Sequence, residues 1–172
     1  MPEAEVASNT PRRRTARSTS AASGNGRVRI FVSYDVEHDR ELYLRLLEQS
    51  KGSGSGFDVI GCSERTTTAD TWSESVRRRI RDADQVIVIC GEHTKTALCV
   101  SAELRVAEFE KTPHILLWGR RETMCTKPAE AGPNEGMYSW TRQVLHDQMA
   151  WTRRKFAAKA DVDTALAAAK RA

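Results

Sequence analysis

The stretch QVIVIC, Gln85–Cys90, decides the fold of this chain. After Gln85 it holds five apolar residues in succession, four of them β-branched. A strand with one face in water alternates apolar and polar residues, whereas a strand inside a parallel sheet is apolar throughout because helices cover both of its faces. The pattern therefore predicts that Gln85–Cys90 is a central strand of a parallel sheet.

Strand and helix patterns alternate on either side of this central strand. β-branched and aromatic runs predict three more strands, at residues 28–34, 57–62 and 114–118. Apolar residues at i,i+4 spacing predict helices between and after them. The first helix is expected to bury Leu42, Tyr43, Leu46 and Leu47. The second is expected to begin with a capping box at Thr71–Glu74 and to bury Trp72, Val76 and Ile80. The third helix is expected to bury Val100, Leu104 and Ala107. The fourth is expected to begin at about Tyr138, with Trp140, Val144 and Gln148 on its inner side.

This order of elements predicts an α/β fold with three layers, in which helices flank an open parallel sheet of flavodoxin-like order. The first strand is expected in the middle of the sheet. Ligands of such sheets bind beyond the carboxyl ends of the strands, at the switch between strands 1 and 3. That rule points to the loops at 33–39, 62–70 and 91–103, and the long loop Gly119–Gly136 is a further candidate because loops of that length are often functional.

The 172 residues suit one domain with a tail at each end. Residues 1–26 are basic and hold almost no large apolar residue, so we expect a disordered tail there. The domain is expected over residues 27–151, and a helical or disordered tail over 152–172. The net charge of +4 is mild, and much of it lies in these tails. Solvated tails explain this better than nucleic-acid binding, because no interleaved aromatic residues accompany the charges.

Several classes of protein are disfavoured by what the sequence lacks. The four cysteines form no CxxC pair, so we expect reduced, buried thiols in a cytoplasmic protein rather than a zinc site or a disulfide framework. No apolar run is long enough for a membrane span, and no secretion signal opens the chain. Walker, GxGxxG and GxSxG motifs are absent. We expect no metal and no bound cofactor.

Three polar residues near the expected carboxyl edge could carry chemistry. Glu103 follows Val100 by three positions and precedes Leu104, at the edge of a buried stripe. A carboxylate against apolar surface has a raised pKa and suits proton transfer or the stabilisation of positive charge, although the spacing alone also fits a surface glutamate. Ser33 and Asp35 end the first strand, where Asp35 could cap the following helix, contact a ligand, or do both.

At this point the residues resemble a known family. The segment IFVSYD, Ile30–Asp35, resembles the opening strand of Toll/interleukin-1 receptor (TIR) domains, and CVSAEL, Cys99–Leu104, resembles the TIR helix segment that ends in the catalytic glutamate. The whole stretch is similar to the bacterial TIR-like group that includes the TIR proteins of Thoeris anti-phage defence. The other matching segments are Trp72–Ile80, Ala83–Ile89, Leu117–Arg121 and Met137–Trp140.

The resemblance implies an enzyme that cleaves the nicotinamide N-glycosidic bond of NAD⁺, its substrate, to give ADP-ribose or a cyclic ADP-ribose-type signal. It implies that Glu103 is catalytic, that Ser33, Tyr34 and Asp35 lie along the nucleotide pocket, and that Trp72 is either a pocket wall or a core residue. It also implies homo-oligomers through the domain and a companion effector that senses the product.

Two other functions stay open at this stage. Some TIR domains are interaction modules without turnover, and an exposed apolar helix face would favour that interpretation. A nucleoside deoxyribosyltransferase-like enzyme would also use a carboxylate for N-glycosidic chemistry on a related fold. Cys99 stands where many TIR domains have a tryptophan, four residues before the glutamate.

Overall fold

The computed structural model describes residues 26–65 and 69–169, except for the side chains of residues 69–73. This part of the chain forms five strands and four helices, which alternate as far as β4; β5 then follows β4 directly. The strands are β1 (Val28–Ser33), β2 (Phe57–Cys62), β3 (Gln85–Cys90), β4 (His114–Trp118) and β5 (Met137–Ser139). The helices are α1 (Arg40–Lys51), α2 (Ala69–Asp82), α3 (Leu98–Glu110) and α4 (Arg142–Ala169), and a short 3-10 turn at Thr94–Thr96 precedes α3.

The strands form one parallel sheet in the order β2-β1-β3-β4-β5. This is the flavodoxin-like order, and it confirms the predicted fold class. All six residues of β3 are buried, as expected for the central strand. In the register of the sheet, Ser33 at the end of β1 lies opposite Val88 of β3. The carboxyl ends of β1 and β3 therefore meet at one edge.

Two apolar layers hold the helices against the sheet. On one face, Val32 and Ile87 of the sheet pack with Leu46 of α1 and Met149 of α4. The opposite face buries Phe31 and Val88 together with residues of α2 and α3. Successive residues of a strand point to opposite faces, so β1 contributes side chains to both apolar layers. The residues that α2 and α3 contribute include Val76, Ile80, Val100, Leu104 and Ala107.

The last part of the fold differs from the prediction. We expected a helix from about Tyr138, but Met137–Ser139 is a strand and α4 begins at Arg142. Tyr138 pairs with Leu117 of β4, and this pairing outweighs local helix preference in a run too short to show alternation. The inner face of α4 buries Leu145 and Met149, whereas Val144 and Gln148, which we expected there, are half-buried.

The predicted capping box at Thr71 is also wrong. The helix α2 begins at Ala69, so Thr71 lies within its first turn. Alanine has the highest helix propensity, so a helix start at Ala69 is favourable. The inner stripe of α2 is as predicted at Val76 and Ile80, which are both buried.

The long helix α4 packs on the domain at its start only. Thr152, one residue past the expected domain end, is fully buried and donates a hydrogen bond of 2.9 Å to Gln85. From residue 157 to residue 169, every described side chain is exposed. The predicted tail at 152–172 is thus helical as far as Ala169, whereas the predicted tail at 1–26 lies almost entirely outside the described residues.

Candidate functional site

Glu103 lies at the centre of the candidate site and is completely buried. The helix α3 packs against both β1 and β3, and Val100, Leu104 and Ala107 anchor its inner stripe. One position before Leu104, the Glu103 side chain turns inward with this stripe. Of the two alternatives that the spacing left open, the structure shows the buried glutamate and not the surface one.

Two serine hydroxyls hold one oxygen of this carboxylate. Ser33 Oγ donates a hydrogen bond of 2.5 Å to Glu103 Oε2, and Ser63 Oγ donates one of 2.6 Å to the same atom. Glu103 Oε1 is buried and has no hydrogen-bond partner among the described residues. The carboxylate is therefore held by one oxygen and has an open lone-pair site on the other.

Burial raises the pKa of Glu103 to about 7, from an ordinary value of 4.5. The Ser33 and Ser63 hydroxyls act in the opposite direction, because they stabilise the charged form, and the charge of Glu64 adds a smaller increase. A carboxyl group with such a pKa is present in both protonation states near neutral pH. It can accept a proton or stabilise a nearby positive charge.

Ser63 was missed by the sequence reasoning. It directly follows β2, is 2% exposed, and its N–H donates a hydrogen bond of 3.0 Å to Val32 O. Its Oγ also accepts a hydrogen bond of 3.0 Å from Tyr34 N. Ser63 lies in the loop at 62–70 that the sequence indicated, but its contact with Glu103 depends on the strand order, which places β2 beside β1.

Tyr34 lies on the other side of the sheet from Glu103. Its ring is part of the α1/α4 layer and stacks on Tyr43, with ring centroids 4.8 Å apart and planes 1° from parallel. Burial raises the pKa of the Tyr34 phenol to about 12. Of the predicted site residues, Ser33 and Glu103 are in direct contact. A contact of Tyr34 with the nucleotide stays a prediction.

Asp35 shapes the turn after β1. Its Oδ1 accepts a hydrogen bond of 3.0 Å from Glu37 N, and its Oδ2 lies 2.8 Å from His38 Nδ1. Of the alternatives for Asp35, the structure does not show capping of the helix, because α1 begins only at Arg40 and the Asp35 carboxylate forms an Asx turn before it. A contact of Asp35 with a ligand stays a prediction. The hydrogen bond to Asp35 raises the pKa of His38.

The last predicted site residue, Trp72, lies on α2, and its side chain is outside the described residues. Whether it is a pocket wall or a core residue stays a prediction.

Arg120, after β4, joins the loops at this edge of the sheet. It donates hydrogen bonds of 3.0 Å to Asp39 Oδ1 and 3.1 Å to His38 O, and it also pairs with Glu41. The Asp39 carboxylate is 1% exposed and lies directly against the backbone of Gly91, so a side chain at position 91 would overlap it. A cavity of about 140 Å³ opens here, lined by His38, Asp39, Glu92, His93 and Arg120.

A second cavity lies on the outer face of α2 and α3. It has a volume of about 440 Å³ and is lined by Arg77, Ala102, Arg105, Val106 and Phe109. Neither cavity is lined by Glu103.

The described residues contain no group of three or more histidine, cysteine or acidic side chains that could hold a metal ion. All four cysteines are free thiols. Cys90 and Cys125 are buried as expected, whereas Cys62 and Cys99 are half-buried because they lie at the rim of the sheet and at the first turn of α3. No helix in the described part of the chain is long and apolar enough to cross a membrane.

The comparison with protein families gives the class of this α/β domain, which is TIR-like. The family model for the TIR-like domain of the Thoeris protein ThsB matches residues 31–120, more than half of the 172 residues. The chain therefore belongs to the Thoeris ThsB TIR-like domain family. The matched range includes all five residues that the sequence reasoning singled out, from Ser33 to Glu103.

The comparison with solved structures found a crystal structure of a prokaryotic SEFIR domain. That domain is 20% identical to this chain, with a TM-score of 0.41, and the match covers 74% of this chain and 90% of that chain. No curated protein matches this sequence. TIR-like domains commonly self-associate or bind partners, and some of them process NAD⁺.

Proposed function

We propose that this protein is an NAD⁺-cleaving enzyme in which Glu103 is the catalytic carboxylate. The observation that carries the proposal is the state of this side chain: it is fully buried at the carboxyl edge of β1, held through Oε2, and unpartnered at Oε1 among the described residues. An unpaired buried carboxylate oxygen is costly to folding, so a functional reason for keeping it is expected.

The reaction breaks the bond between C1′ of the ribose and the nicotinamide nitrogen of NAD⁺. The bonding electron pair goes to that nitrogen, which leaves as neutral nicotinamide, and positive charge develops on the ribose as an oxocarbenium-like ion. Addition of water at C1′ with loss of a proton gives ADP-ribose. Attack by a nitrogen of the adenine gives a cyclic product instead.

A buried carboxylate suits this transition state. The ionised Glu103 lies in a low-dielectric environment, where its negative charge interacts more strongly with a developing positive charge than it would in water. The substrate already carries a positive charge on the nicotinamide ring, and that charge moves to the ribose as the bond breaks. The carboxylate thus stabilises the transition state at the atom where charge appears.

Membership of the Thoeris family supports a signalling role for the product. In this proposal the ADP-ribose or cyclic ADP-ribose-type product activates a companion effector in anti-phage defence in the cytoplasm. Ser33 and Asp35 line the nucleotide site, and no cofactor or metal is needed, because NAD⁺ is the substrate.

A substrate panel tests the class of reaction. Purified protein at high concentration is given NAD⁺ or a set of deoxynucleosides, and the released bases are separated by chromatography. Release of nicotinamide from NAD⁺ alone supports the proposal. Release of bases from the deoxynucleosides alone would assign a deoxyribosyltransferase-like activity to the same carboxylate and overturn the NAD⁺ proposal.

A second candidate function is an assembly module, and the outer face of α3 favours it. Leu98 is 84% exposed and Phe109 is 72% exposed, and Val106 lies with Phe109 in the 440 Å³ cavity. Apolar residues on an exposed helix face indicate contact with another protein surface. Here we take that surface to be a second copy of this chain, as the family's tendency to self-associate suggests.

Sedimentation at several protein concentrations tests the assembly function. Phe109→Asp is expected to shift the protein towards monomer, because it places a charge in the apolar face. Leu44→Asp, at a residue 48% exposed on α1, is the control and is expected to leave assembly unchanged. An equal response of the two variants would contradict assembly through α3.

A further inference from the structure

We propose that Ser33 and Ser63 are positioning residues, which hold Glu103 by Oε2 and thereby assign Oε1 as the oxygen that faces the reacting ribose. The inference rests on the proposed function and deepens it, because it says which atom of the carboxylate acts and what orients it. Both serines are buried, at 0% and 2% exposure, so neither hydroxyl exchanges partners with bulk water.

The proton of the Ser63 hydroxyl is committed to Glu103. A hydroxyl has one proton to donate and two lone pairs. Tyr34 N–H approaches Ser63 Oγ at 3.0 Å, and an N–H can only donate, so it occupies a lone pair. The remaining short contact, 2.6 Å to Glu103 Oε2, is therefore the one that carries the hydroxyl proton. The backbone N–H of Tyr34, which directly follows β1, thus sets the direction of this hydrogen bond.

Ser33 supplies the second donor from a different strand. Its backbone is fixed in the sheet opposite Val88, and its Oγ lies 2.5 Å from Glu103 Oε2. Two donors on two neighbouring strands define one position for the bound oxygen. The other oxygen of the planar carboxylate is then directed away from both serines, and this is the atom without a partner among the described residues.

The same arrangement leaves Oε1 as the available acceptor of the ionised form. Oε2 accepts hydroxyl protons from Ser33 and Ser63, whereas Oε1 has no partner among the described residues. When the acid loses its proton, the lone pairs of Oε1 therefore remain available to the substrate.

Other titratable groups also lie near Glu103. Glu64, after β2, is the charged group that acts on it. Cys62 on β2, Cys99 on α3 and Tyr34 after β1 also interact with its charge, but burial raises the pKa of each of the three. These three are therefore neutral near pH 7, and the two serines remain the groups that favour the ionised form of Glu103.

The test measures the pKa of Glu103 in the full chain by carbon-13 NMR of the side-chain carboxyl groups, with the signal assigned by its absence in Glu103→Gln. Ser33→Ala and Ser63→Ala each remove a hydrogen bond to the charged form, and each is expected to raise the pKa of Glu103 by about one pH unit. Ser63→Thr keeps the hydroxyl and is expected to restore the wild-type value.

Ser101→Ala is the matched control. Ser101 is a buried serine on α3, 6% exposed, and neither hydrogen bond to Glu103 among the described residues comes from it. Ser63→Ala has a second effect, because it also leaves the Tyr34 N–H without an acceptor. Ser33→Ala leaves that hydrogen bond in place, so it is the check against misfolding. A Glu103 pKa that moves no more in Ser33→Ala and Ser63→Ala than in Ser101→Ala would overturn the proposal.

The titration does not depend on turnover, so it separates the two proposals. A wild-type protein without NAD⁺ cleavage would contradict the proposed function, while a raised Glu103 pKa in both serine variants would still establish the positioning role. In an active protein, the pH at half-maximal turnover is expected to rise with the pKa in both variants. An unchanged pH profile alongside reduced turnover would indicate a merely structural role and overturn the inference.

Discussion

Ser33 Oγ and Glu103 Oε2 form a hydrogen bond of 2.5 Å between residues seventy positions apart in the chain. The parallel topology produces this contact, because β1 and β3 are neighbours in the sheet and α3, which follows β3, packs against both of them. Ser33 ends β1, and Glu103 enters the sheet edge from the second turn of α3. This hydrogen bond therefore forms only when α3 packs correctly against β1, so the site depends on the correct fold.

The stability of the protein should depend on pH through Glu103. Its pKa is 4.5 ordinarily and about 7 in the fold, so the folded state favours the protonated form. The stability that this group contributes is complete below about pH 4.5 and is lost as pH rises through about 7. The loss is about 3 kcal/mol, because a tenfold change in a protonation equilibrium corresponds to about 1.4 kcal/mol.

Glu103→Gln is neutral at every pH and keeps an oxygen for both serine hydroxyls. It is expected to unfold at higher urea concentration than wild type at about pH 8.5, and at a similar concentration at about pH 4.5. Glu108→Gln, on an exposed face of the same helix, is the control and should show no such difference. A Glu103→Gln effect of equal size at both pH values would contradict the raised pKa.

Turnover should rise with pH if the ionised form of Glu103 is the active one. The pKa of about 7 predicts low turnover near pH 5.5, half-maximal turnover near pH 7 and a plateau above about pH 8. Initial rates of nicotinamide release at NAD⁺ concentrations well below KM measure this profile, because kcat/KM reports the pKa values of the free enzyme. Turnover that falls as pH rises through 7 would instead indicate that the protonated acid is the active form.

Gly91 should be intolerant of any side chain. A Cβ at this position would overlap the Asp39 carboxylate, which is buried and held by Arg120. Gly91→Ala is expected to lower the free energy of unfolding by about 1–3 kcal/mol through overpacking. Gly136→Ala is the matched control, since nothing lies within 4 Å of a Cβ there. Chemical denaturation compares the two, and equal stability would mean that Asp39 can move aside.

Two leucines of α3 should differ sharply in their contribution to stability. Leu104 is completely buried between α3 and the sheet, whereas Leu98 on the same helix is 84% exposed. Leu104→Ala is expected to lower the free energy of unfolding by about 2–5 kcal/mol, because it leaves a cavity. Leu98→Ala should change it by less than about 0.5 kcal/mol. Similar losses in urea denaturation would show that the outer face of α3 is also packed.

The strands of this fold are predictable where burial dominates the sequence. The run at Gln85–Cys90 is apolar because both faces of β3 are covered, and β4 occurs at the predicted residues for a related reason. The edge strand β2 also occurs at the predicted residues, although Phe57 is the one buried residue in it. The three-residue strand β5 is too short to show a pattern. It exists because β4 offers a free edge, which is a property of the assembled sheet and not of residues 137–139.

The site was predictable in part. Glu103 follows from its place beside a buried stripe together with the family resemblance, and Ser33 from its place at the end of β1. The two-residue period of a strand directs neighbouring side chains to opposite faces, so it predicts that Tyr34 points away from the face that Ser33 shares with Glu103. Ser63 required the strand order, because only the pairing of β1 with β2 brings it next to Glu103.

The most direct test of the central claim is nicotinamide release from NAD⁺ by concentrated wild-type protein at about pH 8, compared with Glu103→Gln and Glu108→Gln. We predict release by wild type and Glu108→Gln, and a loss of at least about 100-fold in Glu103→Gln, as expected when a group that stabilises transition-state charge is removed. Turnover by Glu103→Gln at the wild-type rate, or no release by wild type under conditions where it assembles, would contradict Glu103 as the catalytic carboxylate of an NAD⁺-cleaving enzyme.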